Sequence, residues 1–236
     1  MDIQQLIELD KEVLLALNGC HSLFWDGFMW TATKTITWIP VAVALLYVIF
    51  KNNKLQEAVA ILVAIALCVT FSDQITSGFC KPFFERLRPT QDPEMMYLVH
   101  TVNGYRGGMY GFMSSHAANT FTVAMFVSLL IRNWLMTFAV FSWAMIATYT
   151  RIYLGVHYPG DILCGATVGM LVAVLLYTLY YYIYKRKTVT GARYSQNQYT
   201  PGGYATTHLN IFYLVLLLTY FTVVIVGMVR AKLLFL

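Results

Sequence analysis

Residues 150–184 decide the fold: they read TRIYLGVHYPGD (Thr150–Asp161) and then, without a break, ILCGATVGMLVAVLLYTLYYYIY (Ile162–Tyr184). The second part is longer than the roughly 20 apolar residues that a membrane-spanning helix needs. Pro159 and Gly160 mark a turn at which this helix begins. The polar stretch is therefore expected at one end of a transmembrane helix.

Five more apolar stretches are candidates for spans: Thr35–Phe50, Glu57–Gly78, Ala117–Ile131, Trp134–Ala147 and Leu209–Val229. The third and fourth spans in chain order, 117–131 and 134–147, are short, and both can lengthen into the polar residues beside them. Together with 162–184 these stretches predict an all-α, polytopic membrane bundle of about six transmembrane helices.

The remaining segments complete a single predicted integral-membrane domain over residues 1–236. Its core covers about 35–184, and 209–229 is an additional C-terminal transmembrane helix. Ile3–Leu17 mixes apolar and charged residues at helical spacing, which favours an amphipathic helix on the membrane interface over a seventh span. The N-terminus lacks a basic region with a cleavage site, so no signal peptide is expected. Thr188–Thr207 is the predicted linker.

Composition supports a membrane protein and excludes several functions. The chain is 58% hydrophobic and 11% charged, against about 25% charged residues in soluble domains. The net charge of +5 is spread over loops, which gives nucleic-acid binding little support. The cysteines form neither a CxxC pair nor a cluster with histidines, so neither a disulfide framework nor a zinc site is predicted, and no cofactor is expected. They are Cys20, Cys68, Cys80 and Cys164.

Two short motifs precede the third span. Lys81-x6-Arg88-Pro89 follows the second span. One interpretation is a basic segment that ends the span, with side chains that snorkel to the membrane interface. Pro89, however, favours an extended turn that aims Arg88 inward. Ser114-Ser115-His116 enters the third span. It can act as a helix N-cap, which is compatible with anion binding at the same helix end.

The third motif, Arg151-x5-His157-x3-Asp161, is the most informative. Its alternative interpretation is an interfacial loop with a belt of tyrosines. Asp161 is predicted to cap the following helix and to accept the Nδ1 proton of His157. Because cations without an excess of carboxylates suit phosphate, the three motifs predict a phosphate-processing site at one membrane face.

The motifs resemble the three signatures of the type-2 phosphatidic acid phosphatase superfamily, which includes membrane lipid phosphatases and the vanadium haloperoxidases. The family pattern is Lys-x6-Arg-Pro, then Pro-Ser-Gly-His, then Ser-Arg-x5-His-x3-Asp. The chain departs from it where Met113 replaces Pro, Ser115 replaces Gly and Thr150 replaces Ser. The similarity covers about Thr35 to Tyr184.

The resemblance implies a metal-independent lipid phosphate phosphatase that works through a phosphohistidine. His157 would be the nucleophile, Asp161 would hold its ring, and His116 would be the general acid and then the base. The groups expected to bind the substrate phosphate are Lys81, Arg88, Ser114, Ser115 and Arg151.

The sequence does not choose among the membrane lipids that such relatives hydrolyse: undecaprenyl diphosphate, phosphatidylglycerophosphate, phosphatidic acid or the phosphates of lipid A. Pro93–Met113 is interpreted either as a lid whose Arg106 contacts the headgroup or as a packed interfacial loop. The competing functions are an anion or lipid transporter and an inactive relative, although no internal repeat supports a transporter. The oligomeric state stays open.

Orientation follows from basic residues after the first, third and fifth spans, which the positive-inside rule assigns to the cytoplasm. They are Lys51, Lys54, Arg132, Lys185, Arg186, Lys187 and Arg193. The cations within the motifs oppose this assignment, but charges recruited to a site do not report topology. We expect a bacterial inner (cytoplasmic) membrane protein with the site on the periplasmic face and with the lipid bilayer and a lipid phosphate as its partners.

Overall fold

A computed structural model describes residues 2–185 and 198–233. Within these residues the chain forms nine α-helices and no β-strand. They are α1 (Ile3–Asn18), α2 (Leu23–Ala32), α3 (Ile39–Asn52), α4 (Leu55–Asp73), α5 (Lys81–Phe84), α6 (Ser115–Ile131), α7 (Trp134–Tyr153), α8 (Pro159–Tyr180) and α9 (Thr206–Leu233). Gln74–Cys80 is a wide helical turn that joins α4 to α5, and Thr35–Trp38 is a 3-10 turn before α3.

Five helical segments are long and apolar enough to cross a membrane: Thr35–Asn52, Leu55–Phe84, Trp134–Tyr153, Pro159–Tyr184 and Thr206–Lys232. The 17-residue α6 is a shorter apolar helix beside them. The prediction of an all-α, polytopic membrane bundle is confirmed. Helices α6 and α7 extend into the motifs, as expected: α6 starts at Ser115, and α7 continues to Tyr153 and so includes Arg151.

Helices α6 and α8 pack against each other through two glycines of α8. A Cβ atom on Gly165 would collide with the backbone oxygen of Ser114, and one on Gly169 with that of Ala118. Close approach through small residues four apart is a common way to join membrane helices. Here it brings the start of α6 beside the start of α8, and the Ser114 amide donates a 3.0 Å hydrogen bond to the Asp161 carbonyl.

The opposite end of the bundle holds the loops that carry Lys51, Lys54 and Arg132, whereas Arg186, Lys187 and Arg193 lie outside the described residues. Asn53 Nδ2 donates to the Tyr204 hydroxyl at 3.1 Å, and the Ala205 amide donates to Asn52 Oδ1 at 2.8 Å. The α3–α4 loop therefore lies beside the start of α9. Within the predicted linker, residues 188–197 lie outside the described part of the chain, whereas 198–205 form this packed loop.

The N-terminal segment forms a helix as predicted, with Asp2 capping its first turn. Leu14 and Asn18 face the protein and are buried. A stripe of apolar side chains on α1 is exposed: Ile3, Leu6, Leu9, Val13 and Leu17. Helix α2 was not predicted, since its ten residues are too short for a span; it packs on α9 where Gly27 meets Gly227.

Candidate active site

His157 and Asp161 form a buried pair where α7 ends and α8 begins. His157 is 2% exposed and Asp161 is fully buried. Asp161 Oδ2 lies 3.3 Å from His157 Nδ1 and accepts a 3.1 Å hydrogen bond from the Tyr158 amide. Asp161 thus caps the first turn of α8 and faces the imidazole, as its spacing from His157 indicates.

The contact with Arg88 identifies the tautomer of this histidine. The Nη1 atom of Arg88 lies 2.9 Å from His157 Nε2. A guanidinium can only donate hydrogen bonds, so Nε2 accepts and carries a lone pair. The proton of the neutral ring is then on Nδ1, facing Asp161. Burial lowers the pKa of His157 to about 4, although the hydrogen bond to Asp161 acts in the opposite direction.

The backbone holds Arg88 in place. Its side chain is buried and donates to the carbonyl oxygens of Tyr110 and Val156, each at 3.1 Å. Before it, Glu85 adopts a left-handed conformation (φ 46°) that ends α5. The following residues pair with 109–111, because the Gly111 amide donates to the Arg86 carbonyl at 2.8 Å. The arginine therefore lies on an extended segment, as Pro89 indicates.

Lys81 is held by two serines. Its Nζ atom donates to Ser115 Oγ at 2.6 Å and to Ser77 Oγ at 2.8 Å, and the two hydroxyls are 2.6 Å apart. Ser115 stands where the family pattern has glycine, so its hydroxyl gives this chain a direct link between the first and second motifs.

Arg151 approaches the same cluster from α7. Its Nη1 donates to Thr33 Oγ1 at 2.9 Å and its Nη2 to the Tyr105 hydroxyl at 3.2 Å. Its buried Nε has no hydrogen-bond partner among the described residues. Arg151 lies near enough to interact electrostatically with Lys81, Arg88, His116 and His157.

Two further motif residues, Ser114 and His116, lie beside Ser115 at the start of α6. Ser114 is fully buried and is the N-cap, with its hydroxyl accepting from the Ala117 amide at 3.4 Å. His116 lies near Arg151 and His157, and within the described chain its buried Nε2 atom has no hydrogen-bond partner. The structure thus brings together eight of the nine residues singled out from the sequence.

Arg106 is the ninth. Its side chain is exposed, while its backbone oxygen accepts from Thr90 Oγ1 at 2.6 Å. The surrounding loop lies directly on the site, since a Cβ on Gly107 would meet Arg88 Nη1 at 3.2 Å and one on Gly111 would meet Asp161 Oδ2 at 3.0 Å. A headgroup role for Arg106 stays a prediction.

Several residues around the site were not predicted. Arg86 Nη1 donates to Asp161 Oδ1 at 2.9 Å, and Arg86 Nη2 donates to Asp10 Oδ2 at 2.7 Å. Thr33 and Tyr105 hold Arg151, as described above. The sequence holds one signal for Arg86: it precedes Arg88 by two residues. Side chains two residues apart in an extended segment lie on the same face of that segment. Within residues 2–185 and 198–233, no group of three His, Cys, Asp or Glu side chains is arranged to hold a metal ion.

A membrane helix bundle with a cluster of cations around a histidine–aspartate pair is the arrangement expected of an integral-membrane protein that acts on phosphate esters. Residues 57–185 match the model of the PAP2 superfamily. Lipid A 4′-phosphatase of Bacteroides thetaiotaomicron is 46% identical over 170 residues, covering 71% of this chain and 75% of that protein. Lipid A 4′-phosphatase of Porphyromonas gingivalis is 38% identical over 184 residues, covering 78% of each.

The chain belongs to the PAP2 superfamily. The crystal structure of Aquifex aeolicus LpxE shares this fold, with a TM-score of 0.55 and 24% identity over 71% of this chain and 93% of that one. The predicted family is confirmed, and so is the prediction of a membrane lipid phosphatase.

Proposed function

We propose that the chain hydrolyses a phosphomonoester on a membrane glycolipid, with the 4′-phosphate of lipid A as its substrate. The choice of lipid is carried by the two relatives at 46% and 38% identity, which are both lipid A 4′-phosphatases. Among the lipids left open by the motifs, this similarity favours lipid A over the diphosphate and glycerophospholipid substrates.

His157 is the nucleophile in this proposal. Its Nε2 lone pair attacks phosphorus, the bond from phosphorus to the lipid oxygen breaks, and a phosphohistidine forms. Asp161 accepts from Nδ1 and stabilises the ring as positive charge develops on it. The supporting geometry is the neutral tautomer of His157 between Arg88 and Asp161.

The cations stabilise the phosphoryl oxygens in the transition state. Arg88 first has to release His157 Nε2, because the atom that attacks phosphorus is the one to which the guanidinium donates. Its donors then turn to the phosphoryl oxygens beside Arg151 and Lys81. The hydroxyl of Ser115 keeps Lys81 at the start of α6, where the free amides of the helix also favour an anion.

His116 transfers the protons. It protonates the departing lipid oxygen, then takes a proton from the water that attacks the phosphohistidine, and phosphate leaves. Its Nε2 atom suits this role because it has no partner among the described residues. Removal of His116 should therefore matter most for a poor leaving group.

We propose that this chemistry takes place on the periplasmic face of a bacterial cytoplasmic membrane. The site lies at the end of the bundle opposite the loops that carry Lys51, Lys54 and Arg132. These basic loops favour the cytoplasm by the positive-inside rule.

Purified protein in detergent should remove one phosphate from lipid A phosphorylated at both the 1 and 4′ positions. Mass spectrometry of the product, with fragmentation to locate the remaining phosphate, should find it at position 1. A panel containing undecaprenyl diphosphate, phosphatidylglycerophosphate and phosphatidic acid should be hydrolysed more slowly. Loss of the 1-phosphate, or faster turnover of any panel lipid, would contradict the proposed substrate.

His116→Ala is expected to slow hydrolysis of a lipid phosphomonoester by about 100-fold, because an alkoxide leaves poorly without an acid. The same variant should lose far less activity on an aryl phosphate, whose leaving oxygen is already stabilised. Arg151→Ala is the comparison, since loss of a phosphate ligand should slow both substrates alike. Equal losses on both substrates for His116→Ala would show that this histidine is not the general acid.

A further inference from the structure

Arg86 lies between two carboxylates that belong to distant parts of the chain. Its guanidinium donates to Asp161 Oδ1 at 2.9 Å and to Asp10 Oδ2 at 2.7 Å. It stacks on the Tyr158 ring, with Cζ 4.1 Å from the ring centroid, and the Tyr158 hydroxyl is held by Asp92 at 2.8 Å. The Arg86 side chain is 25% exposed, whereas that of Asp161 is fully buried.

The two oxygens of Asp161 have different partners. Oδ1 accepts from Arg86, while Oδ2 accepts from the Tyr158 amide and faces His157 Nδ1. A carboxylate held at one oxygen cannot rotate freely about its bond to Cβ. Arg86 therefore presents Oδ2 to the imidazole, although it does not touch the histidine itself.

Asp10 connects this arginine to α1. While Oδ2 accepts from Arg86, Oδ1 accepts a 2.7 Å hydrogen bond from the Gly160 amide in the first turn of α8. The fit is close, because a Cβ on Gly160 would lie 2.8 Å from Asp10 Oδ2. Asp10 thus contacts both the start of α8 and the cation that holds Asp161.

We propose that Arg86 and Asp10 are positioning residues: they hold the Asp161 carboxylate and, through it, keep His157 in the tautomer with its lone pair on Nε2. Helix α1 is then part of the active-site support. This inference rests on the proposed role of His157 as the nucleophile.

The chain offers a matched control on the same helix. Lys11 Nζ pairs with Glu94 at 2.6 Å and with Glu8 at 3.2 Å, which ties α1 to the loop after the first motif without contacting Asp161. If α1 only stabilises the fold, loss of the Lys11 pairs and loss of the Asp10 pair should have similar consequences. If Asp10 positions the site, the Asp10 variant alone should lower turnover.

The kinetic test compares Arg86→Met, Arg86→Lys, Asp10→Asn, the double variant Arg86→Met/Asp10→Asn and the control Lys11→Met. Arg86→Met should lower kcat by about 10- to 100-fold, by analogy with the loss of a group that orients a metal-bound histidine, with little change in KM. Arg86→Lys should recover only part of kcat, because one ammonium cannot bond both carboxylates as the planar guanidinium does. Lys11→Met should keep kcat within about twofold of the wild type.

The double variant decides whether the two residues act along one path. Since Asp10 acts through Arg86, the double variant should be no slower than Arg86→Met alone, whereas independent sites would give multiplied losses. A multiplied loss, or an unchanged kcat in folded Arg86→Met, would overturn the proposal. Asp10→Asn keeps an acceptor for the Gly160 amide, so it remains informative if Arg86→Met does not fold.

A readout that does not depend on activity is the tautomer of His157, measured by NMR of protein labelled with 15N-histidine and assigned with His157→Gln. The wild type should show one form, protonated at Nδ1, and Arg86→Met should show a mixture. A mixture together with an active His157→Ala enzyme would support the positioning role while refuting the nucleophile. An unchanged tautomer in Arg86→Met would overturn the positioning role even if His157 is the nucleophile.

Discussion

Replacing His157 with alanine is expected to lower turnover of the lipid substrate by about 10⁴-fold or more, the scale on which removal of a nucleophile acts. The loss should be in kcat, because the cations that bind phosphate are still present and KM should change little. Single-turnover assays with 32P-labelled lipid, quenched in base, should detect a phosphohistidine in the wild type and none in His157→Ala. Activity within about tenfold of the wild type would rule out the proposed nucleophile.

His100 supplies a matched control for this experiment. It also pairs with an aspartate, since His100 Nε2 lies 2.9 Å from Asp26 Oδ1, and it stacks on His21. What it lacks is an arginine on its second ring nitrogen in the described structure. His100→Ala should therefore keep kcat within a few-fold of the wild type, showing that a histidine–aspartate pair alone is not the catalytic feature.

The pH profile gives an independent signature of the same residue. Burial lowers the pKa of His157 to about 4, with Arg88 and Arg151 acting in the same direction and Asp161 against it. Because the attacking form is neutral, His157 should not limit kcat/KM between pH 7 and about 5. The activity should fall as the pH drops through about 4, where protonation removes the lone pair.

The fold was largely predictable because each helix carries its own signal. A run of apolar residues long enough to cross the bilayer needs no knowledge of its neighbours, so α3, α4, α8 and α9 lie close to the predicted spans. Helices α6 and α7 were also found, although their predicted spans were too short, since the missing length lay in the motif residues. Helix α2 was missed because its ten residues are stabilised by packing against α9, which lies about 200 residues away in sequence.

The site was predictable as a set of residues but not as an arrangement. Spacing placed Asp161 beside His157, because four residues across a helix start put the two side chains together. The partner of Lys81 was not predictable, since Ser115 becomes its acceptor only through the packing of α6 against the α4–α5 turn. The link from Asp10 through Arg86 to Asp161 joins three segments that no local pattern relates.

Substitution of Arg88 is expected to have the second-largest effect. Arg88→Ala removes a phosphate ligand, and a lost donor of this kind costs about 2.7–4 kcal/mol of transition-state stabilisation, or roughly 10²–10³ in kcat/KM. Arg88→Lys should recover little, because a single ammonium cannot replace the three contacts of the guanidinium with Tyr110, Val156 and His157.

The hydrogen bond from Arg88 to His157 predicts that the Arg88 and Arg151 variants differ in the pH dependence of their activity. Arg151 contacts only Thr33 and Tyr105 among the hydrogen-bond partners described and acts on His157 only through its charge. Arg151→Ala should therefore weaken phosphate binding and move the acidic limb of the pH profile less than Arg88→Ala does. In Arg88→Ala the Nε2 atom loses its donor, so the ring is free to take up a proton there, and the acidic limb of the pH profile should move to higher pH. The measurement is kcat/KM against pH for both variants, with Arg132→Ala as the control, because Arg132 is exposed in the loop between α6 and α7, away from the site. The same acidic limb in both variants would show that Arg88 binds phosphate without holding the nucleophile in its neutral form.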